Sequence, residues 1–278
     1  MSVSLKRRKT INSIVGIVCT GAALLALFLL ASILYTLVAR GLPALNLNTL
    51  TTTMAPTGEN GGLANAIVGS LIQVGIGMLI AIPIGIMAGT YLAEYGKGSK
   101  LAEATRFVSD VLLSAPSILV GLFVYTMMVA TTKTYSGMAG AVALAVIAIP
   151  IIIRTTEDML NLVPTPMREA SAALGAPSYK TVTKITWRAA AAGILTGMLL
   201  ALARIAGETA PLLFTSLGNL NWSTSLWKPM ASLPIAIYQY AASPYEDLVQ
   251  LAWAGALLIT VGVLAINIIA QAVIGRGK

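Results

Sequence analysis

Long apolar runs separated by short polar segments dominate the chain, with little of the period-2 alternation of half-buried strands. Stretches free of Asp, Glu, Lys and Arg cover residues 10–39, 60–93, 111–132, 134–153, 189–203 and 248–275. The fifth continues past Arg204 and Glu208 into more apolar sequence. Each run can supply the ~20 apolar residues that cross ~30 Å of hydrocarbon at 1.5 Å per residue. The pattern predicts an all-α integral membrane protein with six transmembrane helices. A further charge-free stretch, 209–227, begins in the fifth helix and ends in polar Asn and Ser, so its second half reads as loop. The first run is about twice the length of a typical ~7–15-residue signal-peptide core, and reads as a retained helix.

Composition agrees: 57% of residues are hydrophobic and 10% charged, against about 25% charged in ordinary soluble proteins. There is no histidine and a single cysteine, Cys19, within an apolar run. That excludes a Ser–His–Asp triad, a Cys–His pair, a His/Cys metal site and a disulfide framework. The net charge of +8 raises the question of nucleic acid, but its distribution is a topology signal. With the N-terminus inside, the inner segments hold Lys6, Arg7, Arg8, Lys9, Lys97, Lys100, Arg106, Arg154, Arg168, Lys180, Lys184, Arg188, Arg276 and Lys278, and the outer ones Arg40, Lys133 and Lys228. Fourteen against three places both termini in the cytoplasm by the positive-inside rule. No internal repeat or low-complexity tract is present, which disfavours a transporter built from duplicated halves.

The longest inner loop, 154–188, is RTTEDMLNLVPTPMREASAALGAPSYKTVTKITWR. Thr165 is placed to cap a short helix with Pro166 at its first position, and Gly175 to end it with Pro177 just beyond. Met167, Ala170, Ser171 and Leu174 then share one small, apolar face at i, i+3, i+4 and i+7. Two readings fit: a helix lying on lipid, or a helix docking into a groove of a soluble partner. A P-loop is absent, because neither Gly-Lys pair, at 96–97 and 277–278, has the preceding Gly or following Ser/Thr that cradles phosphate. This chain is not expected to hydrolyse ATP.

The segment ARIAGETAPLLF (203–214) sets Arg204 and Glu208 one turn apart in the fifth helix. Arg204, fifteen residues beyond Ala189, stands ~22 Å along the helix, past the midplane. Three readings are open: a structural ion pair, an anion contact on a transport pathway with Glu208 holding the arginine in place, and an arginine snorkelling to the interface. The guanidinium fork matches the oxygens of a tetrahedral oxyanion. Thr209 and Thr215 offer hydroxyls, although hydroxyls on membrane helices commonly bond backbone carbonyls. Asp110 reads as an interfacial carboxylate paired with Arg106, and Gln73 and Asn267 as interhelical hydrogen bonders. Gly85 and Gly89 read as a site of close helix packing, and Pro83, Pro116 and Pro150 as interruptions of their spans. Trp222, Trp227, Tyr238, Tyr240 and Tyr245 fit either an aromatic belt or a surface for an extracytoplasmic binding protein.

EASAALGAPSYKTVTKI (169–185) resembles the EAA loop of ABC-importer permeases, with Glu169, Ala170, Gly175 and Ile185 at the family's spacing. Ser171 replaces the second Ala, and Trp187 and Arg188 stand where the family has Leu-Pro. APSILVGLF (115–123), ARIAGETAPLLF (203–214), MASLPIAIYQYAASP (230–244) and, more weakly, GGLANAIVGS (61–70) resemble phosphate-importer permeases of the PstA type. The resemblance implies a type I, MetI-like permease core spanning residues 61–278, with 1–60 an N-terminal helix and outer loop packed outside it. It implies transport of inorganic phosphate across the inner membrane, with the 154–188 loop seated in an ATPase subunit. The implied partners are a second permease, a cytoplasmic ATPase dimer that uses the ATP and magnesium, and an extracytoplasmic phosphate-binding protein. No cofactor is implied for this chain. The alternatives are a permease for sulfate or molybdate, and an ATP-independent secondary transporter.

Overall fold

The computed structural model describes residues 5–56, 58–59 and 61–275. Arg276 and Lys278, counted above as inner charges, Asn60 at the start of the second run, and the side chain of Lys6 lie outside what is described. The chain runs through α1 (Leu5–Ala44), α2 (Leu47–Thr51), α3 (Ala64–Thr90), a π turn (Tyr91–Tyr95), α4 (Lys100–Ser114), α5 (Ser117–Val124), a π turn (Tyr125–Val129) and α6 (Ala130–Thr132). It continues through α7 (Gly137–Asn161), α8 (Thr165–Ala173), α9 (Ser178–Thr181), a π turn (Val182–Thr186), α10 (Trp187–Ala206), α11 (Ala210–Thr215), α12 (Leu233–Ala241) and α13 (Glu246–Gly275). Five helices among the described residues are long and apolar enough to cross a membrane, six if Lys100–Ser114 and Ser117–Thr132 count as one bent span.

That bend corrects the third span. Residues 111–114 end α4, and the chain turns by 108° before α5. Pro116 disfavours helical backbone at the residue before it, and Ala115 is extended at φ −68°, ψ 137°. Pro83 and Pro150, by contrast, lie inside continuous helices. The fifth span also shifts: one helical run extends from Ser178 to Ala206 and stops there, short of Glu208. With Trp187 where a Leu-Pro stands in the resembled family, nothing interrupts the helix, and Trp187 Nε1 donates to Thr90 Oγ1 at 3.0 Å.

The centre of the bundle is α3 against α7. Gly77, Ala81, Gly85 and Gly89 recur every four residues along α3, so one face of the helix is nearly bare backbone. A Cβ on Gly85 would lie 2.6 Å from Ile152 Cβ, and one on Gly89 2.7 Å from Ile153 O. This is the close approach expected of Gly85 and Gly89, extended by Gly77 and Ala81 over three turns. Met78, Leu144, Ile152, Ala201, Ile205 and Leu212 close the core around it. α1 lies outside, with Leu37 and Gly41 against α13 and Arg40 stacked 5.5 Å over Trp253.

The stretch after α11 is irregular as expected, but it does not stay at the surface. Met230 is fully buried, Ser216 Oγ donates to Met230 O at 2.7 Å, and Ala231 O receives Gln73 Nε2 at 3.2 Å. Gln73 thus ties helix to loop rather than helix to helix. Asn267 bonds Val263 O within its own helix at 2.9 Å, not a neighbouring one. α12 follows, packed on α3 and α13, and of the five aromatic residues expected outside, Tyr240 is buried while Trp222, Trp227, Tyr238 and Tyr245 are exposed.

Candidate anion site and coupling helix

Arg204 sits in the last turn of α10, where a cation is favoured by the helix dipole. Glu208 is not on that helix: Gly207 caps it, and the chain bends back so that Arg204 Nε donates to Glu208 Oε1 at 2.8 Å. The expected i, i+4 pair is therefore made across a helix end. The carboxylate is 13% exposed and the guanidinium 58%. Among the described residues the two terminal nitrogens of Arg204 make no hydrogen bond. Arg204 lines a cavity of about 30 Å³ together with Leu112, Leu113, Ala115 and Ser117 at the α4–α5 bend and with Val120, Ile147 and Ile151. Thr209, half-buried, makes no side-chain hydrogen bond among the described residues, whereas Thr215 Oγ1 is committed to Pro211 O at 2.8 Å.

The second cluster surrounds α8. Its cap is Pro164 rather than Thr165, so Thr165 and Pro166 occupy the first two helical positions. Gly175 ends it at φ +75°, a left-handed conformation that glycine adopts without a Cβ penalty. The expected apolar face is divided: Ser171 is buried with its Oγ 2.8 Å from Thr181 Oγ1, while Leu174 is 88% exposed and Met167 42%. Glu169, Ala170 and Gly175 are exposed and Ile185 half-buried in the π turn that leads into α10. α8 thus offers its outward side, with Leu174 at the tip, to whatever covers it.

Two ion pairs beside α8 were not legible as pairs. Arg168 Nη2 reaches Glu94 Oε1 at 2.7 Å, and Arg106 Nε reaches Glu157 Oε1 at 2.7 Å. Asp110, expected to hold Arg106, is exposed instead. From the sequence, Arg106 is set against Asp110 and Arg168 is only a topology charge. The available signal was that Glu94 directly follows one apolar run and Glu157 stands one turn beyond the end of another.

A model of the family described as binding-protein-dependent transport system inner membrane component matches residues 81–276. The chain belongs to that family. The phosphate transport system permease protein PstA of Pasteurella multocida is 54% identical over 95% of this chain and 94% of its own length. The protein of the same name from Yersinia pestis is 52% identical over 98% and 92%, and PstA 1 of Mycobacterium tuberculosis 37% identical over 95% and 88%. Among solved structures, a chain of the MetNI methionine ABC transporter in inward-facing conformations superposes with a TM-score of 0.65 at 21% identity, covering 78% of this chain and 96% of that one. This transporter-component family fits a chain of several apolar helices and an exposed loop helix, and the structural likeness extends to the MetI-like permease fold.

Proposed function

We propose that the chain is the membrane permease subunit of an ATP-driven importer that moves inorganic phosphate into the cytoplasm. The observation that carries the site is the half-used guanidinium: Arg204 gives Nε to Glu208, has no hydrogen bond on either Nη among the described residues, and lines a cavity. Phosphate at neutral pH carries one to two negative charges, and crossing low-dielectric space unpaired is prohibitive. An arginine fork binds two oxygens at once. A neighbouring carboxylate that balances part of its charge keeps that binding weak enough for release, as conduction requires. In this reading Glu208 positions Arg204, and the Thr209 hydroxyl adds a neutral contact.

Six spans follow when the bent pair counts as one, with both termini cytoplasmic by the fourteen-to-three distribution of basic residues. Residues 61–278 are the permease domain in an inner membrane and 1–60 an accessory helix and outer loop. α8 with Glu169, Ala170, Gly175 and Ile185 is the docking element for a cytoplasmic ATPase dimer, which uses the ATP and magnesium; this chain, without a P-loop, binds neither. A second permease subunit completes the pathway, and an extracytoplasmic phosphate-binding protein delivers the anion.

The test is phosphate uptake in vesicles carrying Arg204→Ala with its partners. Uptake is expected to vanish while the ATPase still co-purifies; unchanged uptake removes Arg204 from the pathway. Wild-type vesicles driven by internal ATP and by a proton gradient separately decide the energy source, and sulfate and molybdate as competitors decide the anion.

A further inference from the structure

Arg168 stands on α8, and its guanidinium is bonded on every nitrogen. Nε lies 3.2 Å from both carboxylate oxygens of Glu94, Nη2 reaches Glu94 Oε1 at 2.7 Å and Leu160 O at 2.7 Å, and Nη1 reaches Val163 O at 2.6 Å. One side chain thereby fastens α8 to the end of α7 and to the π turn that follows α3. Both members of the pair are largely buried, at 23% and 10% exposure. Two residues earlier in the same turn, Leu92 O receives Arg106 Nη2 from α4 at 3.1 Å, while Arg106 Nε is held by Glu157 of α7, itself 7% exposed. The turn Tyr91–Tyr95 is therefore gripped from two sides by arginines on two different helices. π turns within helices recur at functional positions.

We propose that this doubly clamped turn is the mechanical joint of the importer: it carries displacement of α8 through Arg168 and Glu94, and then through Leu92 O and Arg106, into α4. Leu112 and Leu113 in the last turn of α4, and Ala115 just beyond it, are among the residues that line the cavity at Arg204. The docking helix and the anion site are then connected through hydrogen bonds on Glu94 and on Leu92 O, the backbone of the turn between them, and α4. Buried ion pairs seldom stabilise more than apolar side chains of the same volume would. Two of them meeting at one turn of an otherwise apolar chain point to a role in which a unique, non-slipping geometry matters. Arg168, Glu94, Arg106 and Glu157 are positioning residues here, acting through α4 and touching no substrate.

The proposal rests on α8 being the ATPase docking element, and the experiment separates the two. Full transporter carrying Glu94→Gln with Arg168→Met, which leaves no orphaned buried charge, is reconstituted in liposomes with the phosphate-binding protein. ATPase recovery, ATP hydrolysis and phosphate uptake are measured together. The ATPase is expected to co-purify as in wild type and to hydrolyse ATP, while phosphate moved per ATP falls at least tenfold. Arg106→Met with Glu157→Gln is expected to do the same, and Arg168→Lys, which keeps the charge without the fork, to give an intermediate ratio. A wild-type ratio in both assembled double variants overturns the proposal. So does a proportional loss of assembly, hydrolysis and uptake, which would make the clamp a brace and nothing more. If the wild-type chain recovers no ATPase at all, the docking reading fails, and the joint with it.

Discussion

Replacing Gly85 with Ala places one methyl between α3 and α7. Its Cβ would lie 2.6 Å from both Cβ and Cγ2 of Ile152, whereas carbon atoms settle at about 3.5–4.0 Å, so the deficit is roughly 1 Å. Ile152 is fully buried and, being β-branched in a helix, has one strongly preferred χ1. It cannot swing aside, and the two helices must part. Overpacking of this kind costs about 1–3 kcal/mol. Gly75 on the same helix is the internal control: a Cβ there meets nothing within 4 Å. Both substitutions gain the same ~0.5–1 kcal/mol from replacing glycine by alanine in a helix, so the difference between them isolates the overpacking. Thermal unfolding of the purified chains in one detergent is expected to rank Gly75→Ala above Gly85→Ala by roughly 2–10 °C. Equal midpoints, or the reverse order, would refute the α3–α7 contact as described.

Gly175→Val forces a β-branched residue into φ +75° with open space around it, so the cost is backbone strain of about 1–2 kcal/mol; co-purified ATPase is expected to fall, and Gly175→Asn, tolerant of that conformation, to restore most of it. Leu174→Ser should leave chain stability unchanged because the side chain is 88% exposed, yet lower ATPase recovery; full recovery would take the helix tip out of the docking surface. Thr209→Val removes only a hydroxyl and is expected to weaken phosphate uptake by less than Arg204→Ala does, read as a raised half-saturation concentration. Tyr240 carries a buried hydroxyl without a partner among the described residues, and burial raises its phenol above the usual 10. The raised folded value means that stability is full below the unfolded pKa and is lost as pH climbs through the folded one. Tyr240→Phe is therefore expected to be neutral or stabilising near pH 7 and to abolish that alkaline loss in melting curves.

The spans were legible because burial in lipid demands long apolar runs, and no soluble helix mimics a 32-residue stretch such as Ala64–Tyr95. Where they break was less so. Pro83, Pro116 and Pro150 look alike in sequence, yet only Pro116 sits at a turn, because α3 and α7 are held straight by each other and α5 is not. Gly207 between Arg204 and Glu208 was the overlooked sign that α10 ends there. The short helix after Pro164 was visible from its proline and glycine punctuation to within one residue. Its buried side was not, since Ser171 turns inward for one hydrogen bond with Thr181, a contact that periodicity cannot carry. α12 was missed as a helix because Leu-Pro at its start reads equally as a turn.

Charge shows the same division between what composition reveals and what only the fold decides. Four ion pairs are described, and their burial sorts them. Arg154 and Asp158, 3.4 Å apart and each about half exposed, form a helical surface pair worth about 0.3–0.5 kcal/mol. Arg106–Glu157 and Arg168–Glu94 bury most of their carboxylates and tie separate helices together beside buried apolar contacts such as Leu92, Ala102 and Ile153. Arg204–Glu208 is of a third kind, with the acid buried and the base open. An arginine fully satisfied by the protein has nothing left to offer an anion, and Arg168 with every nitrogen engaged is that case. Arg204 with one nitrogen engaged is the opposite. On the proposed function the same side chain is a fastener at Arg168 and a receptor at Arg204, and the number of donors left unbonded distinguishes the two roles.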